Sequence, residues 1–198
     1  MVAQDAPAAN NEQVLKNEQG LKQFRFLKIP LYLAQRETFR QQLAELGGFA
    51  ESRATWRYPF KDRFYSPLRL ADSRYIVFDF DQKGRVSGYT RVFRNLYSES
   101  SRELFRQPAL WRSLEKIALT VTEQTGISPL IRKHQSGGFH ASKSYHWESP
   151  SVKIALSHSG YDPYAEPVLR VEFHYENEND GQKQPDGFPE AERQTNGI

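Results

Sequence analysis

Two apolar runs and the turn between them limit what this chain can become. Arg74-Tyr75-Ile76-Val77-Phe78-Asp79-Phe80 and Val86 to Arg94 are rich in β-branched and aromatic residues, and Asp81-Gln82-Lys83-Gly84 joins them. Such residues fit a pleated strand, and the glycine accepts the positive φ that a hairpin turn needs. The reading is a β-hairpin. A lone hairpin is marginal in water, so further strands and a covering layer must complete the fold.

The rest of the chain supplies both. Gln23 to Ile29 alternates Phe24, Phe26 and Ile29 with Arg25 and Lys28 and reads as a first strand that Pro30 ends. Within Gln35 to Leu46, Phe39, Leu43 and Leu46 recur at helical spacing, and Gly47-Gly48 supplies a stop. Thr55 to Phe64 is aromatic and broken by Pro59, the pattern of an irregular edge strand. A second helix opens at the capping box Ser100-Ser101-Arg102-Glu103, is divided near Pro108, and carries Leu110, Leu114, Ile117 and Val121 on one face before Gly126 and Pro129 close it. Phe139 to Glu148, Val152 to His158 and Val168 to Tyr175 read as an antiparallel meander.

The expected architecture is therefore α+β. Residues 21–97 and 98–175 each give a helix and about three strands, so one domain over 21–175 is built from two similar halves. Their strands continue into one antiparallel sheet, with the helices on one face and the other face partly open. Residues 1–20, rich in small and polar residues, are expected as a flexible leader, and 176–198 as a disordered acidic tail, because the tail has too few apolar residues to offset ordering entropy.

Helix followed by meander, twice over, resembles the tandem-repeat fold of the β-lactamase inhibitor protein family and the single-unit lipoprotein of the outer-membrane assembly machinery. The segments Phe26-Leu27-Lys28-Ile29-Pro30-Leu31-Tyr32-Leu33-Ala34 and Phe139-His140-Ala141-Ser142-Lys143-Ser144-Tyr145-His146-Trp147 carry the likeness. Tyr32 stands where those families carry glycine, and both the lipobox cysteine and the disulfides are absent. The resemblance implies a non-catalytic, protein-binding role and assigns no individual residue.

Charge separates the ends from the body. Residues 21–175 hold 24 basic and 15 acidic residues, a net of +9, against +3 for all 198 residues. A cationic body points to an anionic protein or envelope surface, or to nucleic acid. There is no cysteine, which excludes disulfides, thiol catalysis and thiolate metal centres. The small residues Val2-Ala3 read as the remnant of a cleavage site, so a periplasmic or secreted location is expected, with the cytoplasm as the alternative.

Candidate sites follow from residue type. Bases interleave with aromatics in Lys22 to Phe26, Trp56 to Tyr65 and Tyr89 to Arg94. Strand alternation is expected to send the aromatics inward and to leave a basic sheet face with Trp56, Arg57, Arg63, Tyr65, Arg91, Arg94 and Trp147 as anchors. A single-stranded nucleic-acid platform uses the same residue types but needs bases and aromatics on one face. His140, His146, His158 and His174 form a conceivable metal cluster, although nothing in their spacing demands one. Asp79 and Asp81 could pair for glycoside hydrolysis, with acids of a hairpin flank that face water or pair with Lys83 and Arg85 as the alternative. Gly-x-Ser-x-Gly and glycine-rich phosphate loops are absent. The expectation is a non-enzymatic binding protein that needs no cofactor, followed by a cytoplasmic single-stranded nucleic-acid-binding protein and then a hydrolase.

Overall fold

The computed structural model describes residues 6–49, 60–65, 67–94, 107–136, 140–158 and 166–175, with backbone alone for 6–11, 107–113, 134–136 and 140–142. Among the described residues, three helices, α1 (Ala6–Lys22), α2 (Arg36–Leu46) and α3 (Gln107–Thr125), combine with nine strands. A small hairpin joins β1 (Arg25–Phe26) to β2 (Ile29–Pro30). The other strands are β3 (Lys61–Tyr65), β4 (Ser73–Phe80), β5 (Val86–Phe93), β6 (Leu130–Ser136), β7 (His140–Glu148), β8 (Val152–His158) and β9 (Pro167–Phe173). They form one seven-stranded sheet in the order β3-β4-β5-β9-β8-β7-β6, antiparallel throughout. The class is α+β, as expected. No helix among the described residues is long and apolar enough to cross a membrane.

The hairpin that opened the sequence reading is β4 and β5, and its turn closes on Gly84 at φ 76°. β3 sits at one edge of the sheet, the place expected for a strand beside Pro59. The last strand of 21–97 pairs with the last strand of 98–175: β5 lies beside β9, from Gly88 opposite Glu172 to Val92 opposite Val168. Among the described residues, 98–175 holds four strands rather than the three expected. β6 escaped the sequence pattern because Leu130 and Ile131 are adjacent and charged residues follow, so it has no period of two.

Two further expectations are corrected. Residues 6–20, read as a flexible leader, belong to α1. Ion pairs Glu12–Lys16 at 3.1 Å and Glu18–Lys22 at 2.6 Å run along it. Ser151 donates to Glu18 at 2.7 Å, and Leu21 is fully buried. Gly20 explains the close fit: a Cβ there would stand 2.3 Å from the Thr125 carbonyl oxygen, so only glycine lets α1 reach the end of α3. The second correction concerns Gln23 to Ile29, which is not one strand. The chain reverses at Leu27-Lys28, and Leu27 takes φ 57°. The start of the second helix at Ser100, most of the strand Thr55 to Phe64 and residues 176–198 lie outside the described residues.

All three helices cover one face of the sheet. Phe39 and Leu43 of α2, Leu114, Ala118 and Val121 of α3 and Leu21 of α1 join Ile76, Phe78, Phe80, Tyr89, Trp147, Ile154, Leu156 and Val171 in a single core. Phe78 is its centre, with ring centroids of Phe39 at 4.5 Å, Phe26 at 5.1 Å, Tyr89 at 5.2 Å and Phe64 at 6.2 Å. Beside Phe78 on β3, Asp62 is 1% exposed and accepts two hydrogen bonds from Arg40 of α2, at 2.8 and 2.7 Å. This bidentate pair clamps α2 to the sheet edge.

Two stability predictions follow from that core. Phe78→Ala should cost about 3–5 kcal/mol in urea unfolding, because it removes a ring that four other rings enclose. Arg40→Met should cost a similar amount, about 3–5 kcal/mol, by leaving the Asp62 charge buried and uncompensated. The double variant Arg40→Met with Asp62→Leu should recover most of that loss, and equal instability of the single and double variants would refute the pairing argument.

Candidate functional site

The sheet face turned away from the helices is not the basic surface expected. Its cations stand beside acids: Lys61 pairs with Asp79 at 3.0 Å, Arg132 with Glu148 at 3.5 Å, and Lys153 lies opposite Glu172 in the register. Arg63 and Tyr65 do share this face. The Arg63 guanidinium lies 5.8 Å from the Tyr65 ring centroid and 5.5 Å from that of Tyr75, and it donates to the Tyr65 hydroxyl at 3.0 Å. At the middle of the face Val77, Val92 and Val168 are buried. The surface is mixed in charge.

The other anchors lie elsewhere. Trp147 is 1% exposed in the core, and its indole N–H donates to the Ile127 carbonyl at 2.9 Å, so it cannot meet a partner. Arg91 is on the helix side, because residues 89, 91 and 93 of β5 share a face. It donates to Asp72 at 2.7 Å and to the Ser73 hydroxyl at 2.8 Å, over the Phe93 ring at 4.3 Å. Arg94, just past β5, donates to the Ser73 carbonyl at 3.2 Å. Trp56 and Arg57 lie outside the described residues.

The histidines do not converge. His146 is on the outer face, where its Nε2 lies 2.8 Å from the Ser144 hydroxyl, whereas His158 shares the helix-side face with Leu156. His174 follows β9 beside Ser151, at the opposite end of β8 from His158. The His140 side chain is not among those described. Among the described residues no three His, Asp or Glu side chains gather as metal ligands. Asp79 and Asp81 are each occupied, Asp79 by Lys61 and Asp81 by Arg85 at 2.7 Å, in keeping with the paired alternative for Asp81.

Arg91 and Arg94 instead open onto a cleft of about 700 Å³ on the helix side. Its floor is Tyr89, Phe93, Pro167 and Leu169, from the two central strands. Phe24, Arg25, Phe26 and Leu27 of the first hairpin form one wall, and Lys116, Ile117, Thr120, Val121 and Gln124 of α3 form the other. The topology creates this gap. α2 covers β4 and α3 covers β8, so the seam over β5 and β9 lies between helices. Gln124 ties the walls together by accepting from the Arg25 backbone N–H at 3.4 Å.

Among the described residues, four cations line the cleft, Arg25, Arg91, Arg94 and Lys116, against the single acid Asp72. Asp72 already holds Arg91. Arg25, Arg94 and Lys116 have no ion-pair partner among the described residues. Burial pushes the Tyr89 phenol well above its ordinary value, so it stays neutral beside these cations. The cleft thus combines an apolar interior with a positive rim.

Of the expected site residues, the structure brings Arg91 and Arg94 together here and leaves Arg63 and Tyr65 on the far face. Sequence reasoning missed Arg25, Leu27, Lys116 and Gln124. Arg25 stood inside a noted base-and-aromatic stretch, and Lys116 sits next to Ile117 of the noted apolar stripe. Leu27 gave no signal, because a positive φ on leucine is not written in the pattern. No protein-family model matches this chain, and no curated protein or solved structure matches it either.

His158 generates a pH prediction. It is half-buried, its Nε2 has no hydrogen-bond partner among the described residues, and burial lowers its pKa below 6.5. The unfolded chain therefore binds a proton that the folded chain refuses. This contribution should be intact above pH 6.5 and be lost as pH falls toward the depressed folded value. His146 is lowered too, by burial and Arg132, and adds to the same slope. Urea midpoints should drop between about pH 7.5 and about pH 5.5, and His158→Leu should flatten the drop. An unchanged slope in that variant would assign the effect elsewhere.

Proposed function

We propose that this chain is a non-catalytic protein-binding module whose helix-side cleft receives an apolar side chain flanked by carboxylates on an anionic protein partner. The observation that carries this reading is the placement of Arg25, Arg94 and Lys116, unpaired among the described residues, around an apolar floor. Apolar anchors in pockets supply most of the energy of such contacts, and rim charges steer the encounter. The one carboxylate among the described lining residues, Asp72, is engaged with Arg91, which favours binding over acid–base chemistry.

The proposal keeps the partner class and the inhibitor or assembly role of the sequence reading and moves the site. Single-stranded nucleic acid fits the cleft less well, because Phe24, Phe26, Tyr89 and Phe93 are buried and offer no open ring face for stacking. An exported setting belongs to the proposal and rests on the cysteine-free composition.

Calorimetry with a synthetic peptide carrying one leucine between glutamates tests the site. Arg25→Glu combined with Lys116→Glu should weaken binding at least about tenfold, roughly 1.4 kcal/mol, while the far-UV spectrum stays unchanged. Ile117→Trp should abolish binding by filling the cleft. Binding that survives all these changes would remove the cleft from consideration.

A further inference from the structure

We infer that the free edge of β6 is a strand-addition site for an extended acidic peptide segment. β6 ends the sheet, and its inner side pairs with β7 through seven consecutive registers, from Leu130 opposite His146 to Ser136 opposite His140. No described strand takes up the N–H and C=O groups on its outer side. Leu130 is 58% and Ile131 49% exposed, and the Arg132 side chain is 57% exposed, so no described segment covers the first half of this edge.

Exposed edges are usually kept short, bulged, interrupted by proline or lined with charge, lysine above all, to prevent pairing. β6 uses only the last of these devices. It is longer than the opposite edge strand β3, seven residues against five, its register has no shift, and its one neighbouring proline, Pro129, precedes it. What it carries is charge. Arg132, Lys133 and His134 are consecutive, and the register puts Arg132 on the outer face and Lys133 on the helix side, so both margins of the edge are positive. The Arg132–Glu148 pair is exposed on both partners and contributes little.

That charge selects the occupant. A second copy of this chain pairing antiparallel about Lys133 would set Lys133 against its counterpart, with Arg132 of each copy close by, an unfavourable arrangement of like charges. A segment alternating carboxylates with apolar residues meets the opposite sign, and Leu130 and Ile131 offer it one apolar contact on each face. Backbone hydrogen bonds supply the affinity in this mode, and side chains supply the selection. The cleft takes no part, so the edge is a second, independent surface.

The test is amide hydrogen exchange of the full chain with a capped peptide of alternating valine and glutamate. At about ten times its Kd, the peptide should slow exchange of the outward amides of Leu130–Ser136 about tenfold. Arg132→Glu with Lys133→Glu should lose that protection, whereas the cleft variant Arg25→Glu with Lys116→Glu should keep it. The same peptide N-methylated along one edge retains its charge and should not protect. Equal protection by the N-methylated peptide, or by a valine–lysine peptide, would overturn the inference. So would protection without peptide that grows with protein concentration alongside a dimer in sedimentation, which would assign the edge to self-association.

Discussion

The packing around Phe78 is the interaction on which the remaining structure depends. Its ring is fully buried and touches the first hairpin through Phe26, α2 through Phe39, the edge strand through Phe64 and the central strand through Tyr89. Most of these contacts are edge-on or tilted, the arrangement that the ring quadrupole favours. Phe49 extends the cluster, contacting Phe26 at 5.7 Å and Phe64 at 5.8 Å. An aromatic core of this kind orients elements as well as burying them, because a ring tolerates rotation less than an aliphatic chain does. The wall that carries Arg25 is placed by the Phe26 side of this cluster.

The helices cover the sheet in two separate groups, and the cleft exists because neither group reaches the seam. α2 is fixed over β4 by Phe39 and by the Arg40–Asp62 clamp, while α3 and α1 lean on β8. The seam strands β5 and β9 are short of overhead cover, and the first hairpin fills part of the gap without closing it. Cations collect at the opening through unrelated routes: Arg25 from a strand, Arg94 from a strand end and Lys116 from the edge of a helical stripe. Their convergence is a property of the tertiary structure.

That is also why the sheet was more legible than the site. The β4–β5 hairpin, α2, the main run of α3 and the β7-β8-β9 meander each carry a local period, and a period survives in the folded state. α1 did not, because its anchors are a single leucine, a hydrogen-bonded glutamate and a glycine at a close approach. The basic face failed through parity. Arg91 is two residues from both Tyr89 and Phe93 and must lie on their side, whereas Arg25 is one residue from Phe24 and Phe26 and points away from them. Interleaving of cations with rings therefore had to be tested strand by strand. Trp147 shows the complementary error: an aromatic near histidines looked like a surface anchor, yet its N–H needed only one backbone carbonyl to be buried.

The two leucines with positive φ show what holds the cleft wall in place. Leu27 at 57° and Leu33 at 62° adopt backbone conformations that cost about 1–3 kcal/mol for a residue with a side chain; Leu27 forms the turn of the first hairpin and Leu33 follows its second strand. Leu33 is secured from a distance, since its N–H donates to the Tyr175 hydroxyl at 3.1 Å while that hydroxyl donates to the Val86 carbonyl. Burial raises the Tyr175 phenol to about 12, and Arg85 lies 4.1 Å from its ring centroid, so the latch stays protonated and in place. Leu27 is secured by its neighbours, because Phe26 and Ile29 on either side of the turn are both buried. A glycine at either position would relieve the strain, but at 27 it would also remove an apolar side chain from the cleft mouth. At 27 the strained backbone therefore carries a side chain that lines the cleft. In this fold that side chain stands beside Arg25, on the wall where the cleft turns from apolar to positive.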